Sequence, residues 1–221
     1  MAQRPEGKRS PPARKRNNPV IIVVEGKTEK EYFKAYRKKH RLHTVKVKDN
    51  RTRTSPLQIV EDLVKEKKDD SRLEFVAVFD HRKEKGSNTD DDIYHKAIKL
   101  CQKEKFIAIT SKPSFEFWFL LHFIETDRKM SAEEAEKELK IHYENQLKKE
   151  YKKGDPDTFE NTSSRLFVAI ERAEKIWKKE KERASSQCSS RKEEKRSYTN
   201  VHELINILTN VDRKGEAYPL F

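Results

Sequence analysis

Cysteine is scarce in this chain. Only Cys101 and Cys188 occur among 221 residues. Their positions match neither a disulfide framework nor a metal-binding spacing, which excludes both as the basis of the fold. Cys101 falls within a helical pattern and reads as a small buried hydrophobe. Long apolar runs are missing too. The longest, Phe115 to Ile124, is broken by Glu116 and His122 and is too short to span a bilayer. The N-terminus is basic and proline-rich, with no apolar stretch, so no signal peptide is expected. The reading is a cytoplasmic protein with no membrane partner. No internal repeat occurs. Hydrophobic residues make up 33% of the chain against 40% charged, and mean hydropathy is -1.06. A core then requires apolar residues gathered into a few elements, and between residues 19 and 124 they are so gathered.

Charge is what the chain has in abundance. The formal net charge is +12, from 50 Lys and Arg against 38 Asp and Glu. A basic excess of this size favours polyanionic partners, nucleic acid first. A lysine-rich surface is the plainer alternative, because acids are also numerous. Residues 1–18 read as a disordered basic arm, in which Arg4, Lys8, Arg9, Arg14, Lys15 and Arg16 face one acid, Glu6. Pro5, Pro11 and Pro12 oppose a helix there. Such an arm either grips phosphates without reading sequence or simply solubilises the chain.

From Pro19 onward strand and helix patterns alternate. Val20 to Val24 is an unbroken apolar strand, and a helix starts near Thr28, where Thr28 and Glu31 fit a capping box. Val45 and Val47 alternate with Lys46 and Lys48, which predicts an edge strand with one wet face. A helix follows from Pro56 to Lys67. Phe75 to Phe79 is a second apolar strand, followed by a helix from about Asp90 to Lys103, a strand from Phe106 to Thr110 and a helix from Ser114. This series predicts an α/β fold with a four-stranded, mainly parallel sheet flanked by helices. Central strands one and three and an edge strand two give the order 2-1-3-4. Residues 125–221 show no convincing strand and read as a helical extension packed on the 19–124 domain. Its helices are expected over Ser131 to Lys148, Thr162 to Arg183 and about Asn200 to Leu208, with a turn at Tyr151 to Asp157 and a charged, Ser-rich loop at Ala184 to Ser197.

The order 2-1-3-4 has its topological switch point between strands one and three, where sheets of this class bind ligands at the carboxyl ends of the strands. Glu25 closes strand one and Asp80 closes strand three. Two carboxylates brought together repel. A hard divalent cation relieves that, and Mg²⁺ takes one or two carboxylates with water and phosphate oxygens. A solvated strand end is the plain reading of either acid alone. Glu116, in the first turn of the helix after strand four, adds a third acid on the same edge. It reads as a charge favoured by the helix dipole, as an acid that binds or supports the metal, or as a general base. His81 reads as a solvent-facing loop residue, His122 as a hydrogen-bonded core residue and His202 as helix surface. Lys27, in a glycine-containing turn, is a candidate phosphate contact.

The stretches VVEGKTEKEYF, VAVFDHRKEKG and SKPSFEFWFLLHF, with YKKG at Tyr151 to Gly154 and TNVHEL at Thr199 to Leu204, resemble the RloB family, bacterial phage-defence proteins built on a Toprim domain. The resemblance covers most of the chain between residue 19 and about residue 210. It implies a Toprim-like fold and Mg²⁺, with Mn²⁺ as an alternative, bound by a glutamate after the first strand and an Asp-x-Asp after a later one. Carried over, these are Glu25 and Asp80. The second aspartate is replaced by Arg82 in Asp80-His81-Arg82. An arginine binds no Mg²⁺ but suits a phosphate; Glu84 is the first candidate for a substitute acid, ahead of Asp90, Asp91 and Asp92, which read more simply as the negatively charged start of the third helix.

Two functions follow. One is a Mg²⁺-dependent Toprim nuclease that cleaves RNA, such as tRNA, or DNA in anti-phage defence. Its catalytic residues would be Glu25, Asp80 and Glu116, its metal ligands Glu25, Asp80 and Glu84. Lys27, Arg82, Lys152 and Lys153 would contact nucleic acid, which basic helices over 130–196 would help to hold. The other is a non-catalytic nucleic-acid-binding, sensor or partner subunit of a defence system. A protein partner and a homo-oligomer stay open under either.

Overall fold

The structure, a computed structural model, describes residues 19–49, 55–67, 73–81, 88–185 and 196–213, with 88–91, 184–185 and 211–213 described by backbone alone. The expected basic arm over 1–18, Arg82, Glu84 and the loop over 186–195 lie outside the described residues.

Apolar β-branched runs make the centre of the sheet. β1 (Val20–Val24) lies between β2 (Val45–Asp49) and β3 (Glu74–Asp80), and β4 (Ile107–Lys112) lies beyond β3. All three pairings are parallel, with Val24 opposite Val78 and Asp80 opposite Ser111. The expected order of these four strands is present, but the strand count is not four. β5 (Tyr198–Thr199) adds a fifth strand, antiparallel to β4, where the sequence shows no strand signal. Two residues are too short for any alternation to register. Neighbouring groups extend the pairing: the Asn200 side chain accepts from the Thr110 N–H at 2.6 Å and donates to the Ala108 carbonyl at 3.0 Å.

Helices cover both faces. α1 (Lys27–Lys39), α2 (Pro56–Glu66), α3 (Asn88–Glu104) and the short α4 (Glu116–Leu120) belong to the alternating part. α5 (Ala132–Leu147), α6 (Thr158–Thr162), α7 (Leu166–Ser185) and α8 (Val201–Arg213) follow, with a 3-10 turn at Ser163–Arg165 before α7. The expected capping box at Thr28 is not formed. The helix begins one residue earlier, and Gly26 holds the cap position in an extended conformation without a side-chain cap. Thr28 and Glu29 are thereby turned inward and buried. Ser131, by contrast, makes a complete capping box with Glu134.

Side-chain alternation along β3 separates two cores. Phe75, Ala77 and Phe79 join Ile59, Val60 and Leu63 of α2 and Ala97 and Cys101 of α3 on one face. Val76 and Val78 join α1, α4 and residues from α5 through α8 on the other, around Tyr32, Trp118, Phe119, Tyr143 and Phe159. Among the described residues, no helix is long and apolar enough to cross a membrane.

Candidate active site at the carboxyl ends of the strands

Asp80 is the last residue of β3 and continues the Val76–Val78 row, so its carboxylate points to the α1 and α4 side. There it lines a cavity of about 220 Å³ together with Lys27, Glu29, Glu116, Lys153 and the backbone of Gly26 and Gly154. The cavity stands where the chain leaves β1 and β3, between the start of α1, the start of α4 and the turn that follows α5. Asp80 and Glu29 are each 4% exposed and Glu116 2%. The acids are therefore recessed rather than displayed.

Glu25 stands beside the cavity rather than in its wall. Its Oε2 accepts the Asp80 backbone N–H at 2.9 Å, and its own N–H donates to the Val78 carbonyl at 3.0 Å. The acid that closes β1 thus fixes the main chain of the acid that closes β3.

Glu116 is held from three sides. Ser114 Oγ donates to its Oε2 at 2.7 Å, Tyr151 OH donates to its Oε1 at 3.3 Å, and Lys153 Nζ lies 3.0 Å from Oε1. Burial pushes its carboxyl up, but the Ser114 hydroxyl and the Lys153 ammonium outweigh burial and hold it below the usual carboxylate range. Burial and the Glu116 charge push the Tyr151 phenol up, so Tyr151 keeps its proton and donates. These partners act together with the backbone N–H of Glu116 itself at the start of α4.

The turn after α5 reaches the site through an unusual backbone. Gly154 has φ +72°, and a Cβ there would lie 2.9 Å from the Lys27 side chain. A glycine is needed for the conformation and for the approach. Lys27 and Lys153 are brought to one mouth in this way. Lys152 is exposed, 3.3 Å from Glu150.

Glu29, buried in the cavity wall, was not singled out in the sequence. The signal available was its place four residues after Glu25, across a glycine that lets its carboxylate come close: a Cβ on Gly26 would be 2.8 Å from Glu29 Oε2. His81 and His202 are corrected as well. His81 is 7% exposed, stacked on Tyr94 with ring centroids 3.8 Å apart, and its Nδ1 shares a hydrogen bond of 2.9 Å with Tyr198 OH. β5 and α3 cover it, on the opposite face of the sheet from Asp80. His202 is buried because α8 packs against both α7 and β4. His122 is buried, as expected, and bonded to the Trp118 carbonyl at 3.1 Å.

These residues fit Mg²⁺ in one of its usual modes, in which one or two carboxylates hold an ion completed by water and phosphate oxygens. They do not make an all-protein cage. Among the described residues, no group of three or more His, Cys, Asp and Glu side chains is arranged to hold a metal ion. Recessed acids beside two lysines can instead hold a cation and a phosphate at once.

A family model described as RloB-like protein matches residues 20–208. No curated protein and no solved structure matches the chain.

Proposed function

The chain belongs to the RloB-like family, and on that premise we propose that it is a Toprim-type, Mg²⁺-dependent endonuclease that cleaves RNA or DNA in the bacterial cytoplasm during defence against phage. One observation supports this above the others. Asp80, Glu29 and Glu116 come from three separate elements and line one recessed cavity with Lys27 and Lys153, at the strand ends where open α/β sheets bind ligands.

In this reading Asp80, from the cavity wall, and Glu25, from beside it, would hold the Mg²⁺, with Mn²⁺ able to replace it. Such an ion would supply polarisation of the scissile phosphate and a water of lowered pKa. Glu25 also fixes the Asp80 backbone, so the two acids are set relative to each other before substrate arrives. Lys27 and Lys153 neutralise phosphate oxygens at the mouth. Glu116, kept ionised by Ser114 and Lys153, orients Lys153 or relays a proton within the cavity.

The test is cleavage of mixed tRNA and of single- and double-stranded DNA with Mg²⁺ or Mn²⁺. Metal-dependent cutting is expected, and it should be lost in both Glu25→Ala and Asp80→Ala. A folded wild type that cuts none of these substrates sinks the reading. A second reading, a module that binds nucleic acid or a protein partner without cutting, is favoured by Arg82 standing where the Toprim pattern has its second aspartate. It predicts binding that survives Asp80→Ala and no cleavage by any form.

A further inference from the structure

Positive charge is not spread evenly over the helices. α5, one of the helices expected to hold nucleic acid, carries five glutamates against two lysines. α7 carries a basic excess, but Lys175, Lys179 and Lys181 lie beside Glu125, Asp127 and Glu203. α1 is different, with six basic residues against two acids.

The solvent-facing stripe of α1 is Lys27, Glu31, Lys34 and Lys38, spaced i, i+4, i+7 and i+11 along one face. It begins in the cavity wall at Lys27 and extends about 16 Å at the helical rise. Glu31 meets Lys34 at 3.3 Å, an exposed contact of small worth. Lys27 and Lys38 make no ion pair among the described residues.

The turn after α5 adds to the same mouth. Gly154 rests on Lys27, and Lys153 reaches Glu116. Lys148 has no acid partner among the described residues, and Lys149 donates to the neutral amide of Asn161 on α6, which packs on α1. The acids that follow are turned to local use: the Asp155 carboxylate accepts the Asp157 N–H, and its carbonyl accepts from Thr158.

We propose that the α1 stripe and the lysines of residues 148–153 form one surface that grips the sugar–phosphate backbone of a single strand, and that α5 lies off it. This rests on reading the cavity as a nucleic-acid site and narrows the substrate. The acids are almost wholly buried, so the target phosphate must enter the cavity to reach them. A flexible single strand can bend in, whereas a duplex presents its phosphates on a stiff cylinder. Backbone contacts by lysine also release counterions, which makes the surface measurable through salt.

The experiment is fluorescence anisotropy of the full chain with a fluorescein-labelled oligothymidylate and a DNA duplex of equal length. It is run in EDTA over a series of KCl concentrations, so that no cleavage is read. The triple variant Lys38→Gln, Lys148→Gln, Lys149→Gln is compared with Lys137→Gln, Lys140→Gln on α5, each with an unchanged circular-dichroism melt. Residues 1–18 are present in every form. The oligothymidylate is expected to bind more tightly than the duplex. The triple variant should lower the magnitude of its salt slope by about 2, at about 0.7 per lost contact to a single strand, and the α5 variant should leave it unchanged. Three results overturn the proposal: equal slopes for the triple variant and wild type, a slope lowered as far by the α5 variant, or preference for the duplex. Single-strand binding without cleavage in Mg²⁺ would sink the nuclease reading and leave this one standing.

Discussion

The two faces of the sheet are closed by different lengths of chain. The face under α2 and α3 is built from residues between Ile21 and Ala108, each helix folding back onto the strands beside it. The face under α1 and α4 draws its core from Val20 to Leu208. Contacts there join residues more than a hundred positions apart, such as Tyr36 with Thr209. The cavity lies on this second face. The helices on the first face need only cover a sheet. Those on the second also bring Tyr151, Lys153 and Gly154 to Asp80 and Glu116.

The largest expected difference lies in the cores. Trp118 is wholly buried on α4, which packs against α5, α7 and β4. Trp118→Ala should cost about 3–5 kcal/mol and Leu63→Ala, on α2, about 2–5 kcal/mol, read from urea midpoints. Only the first loosens the helix that carries Glu116. At temperatures where both variants are folded, Trp118→Ala should weaken oligonucleotide binding and Leu63→Ala should not. Equal loss of binding in the two would show that the faces are not functionally distinct.

Acid should reveal the same asymmetry. Burial pushes His122 down from 6.5 to about 4, against its bond to the Trp118 carbonyl, with Arg172 and Arg165 adding to the downward shift. Burial lowers His202 as well. Both belong to the cavity side. The buried Cys101 thiol on the other face is pushed up to about 12 and does not titrate in this range. For a base with a depressed folded pKa, the unfolded chain binds the proton first. The stabilisation is therefore complete above about pH 6.5 and is lost as pH falls toward 4. Between pH 8 and pH 5, His122 alone accounts for about 2 kcal/mol. Urea unfolding of His122→Gln at the two pH values should show a loss smaller than that of wild type by about that amount. An identical loss in both proteins would place the pH dependence elsewhere.

The same division explains what could be read from the sequence. Val20 to Val24 and Phe75 to Phe79 declare themselves as buried strands because parallel strands covered on both faces need continuous apolar runs. The acids that end them, with Glu116, then mark one edge of the sheet. What was hidden depended on distant chain. Tyr198 and Thr199 pair with β4 across about ninety residues, and a two-residue strand carries no periodicity. His81 was read as solvent-facing because its covers, Tyr94 and Tyr198, arrive from α3 and β5. Glu29 was not singled out, because a shift of one residue in the helix start decides whether it faces water or the cavity. The meeting of Lys27 with Gly154 joins two turns more than a hundred residues apart, and no local pattern announces it.

A pair of ion pairs makes the finest comparison. Lys48 and Glu66 meet at 2.5 Å beside α2, with side chains 44% and 41% exposed. Lys153 meets Glu116 at 3.0 Å, with the glutamate buried. The first pair is screened by water and holds two long side chains in place for little gain, so Glu66→Gln should change stability by no more than about 0.5 kcal/mol. Glu116→Gln removes a charge that Ser114, Tyr151 and Lys153 all serve, and losing one partner from a buried polar network costs more than its exposed counterpart. The pH dependence bears on the buried pair. The Glu116 carboxyl is held low in the folded chain, so its contribution is present above the ordinary glutamate value and is lost as pH falls through the lower folded value. Wild type should therefore lose stability as pH drops below about 4.5, while Glu116→Gln loses less. Parallel curves for the two would mean that solvent reaches Glu116 freely, and that the cavity is not the recessed site on which the proposed chemistry depends.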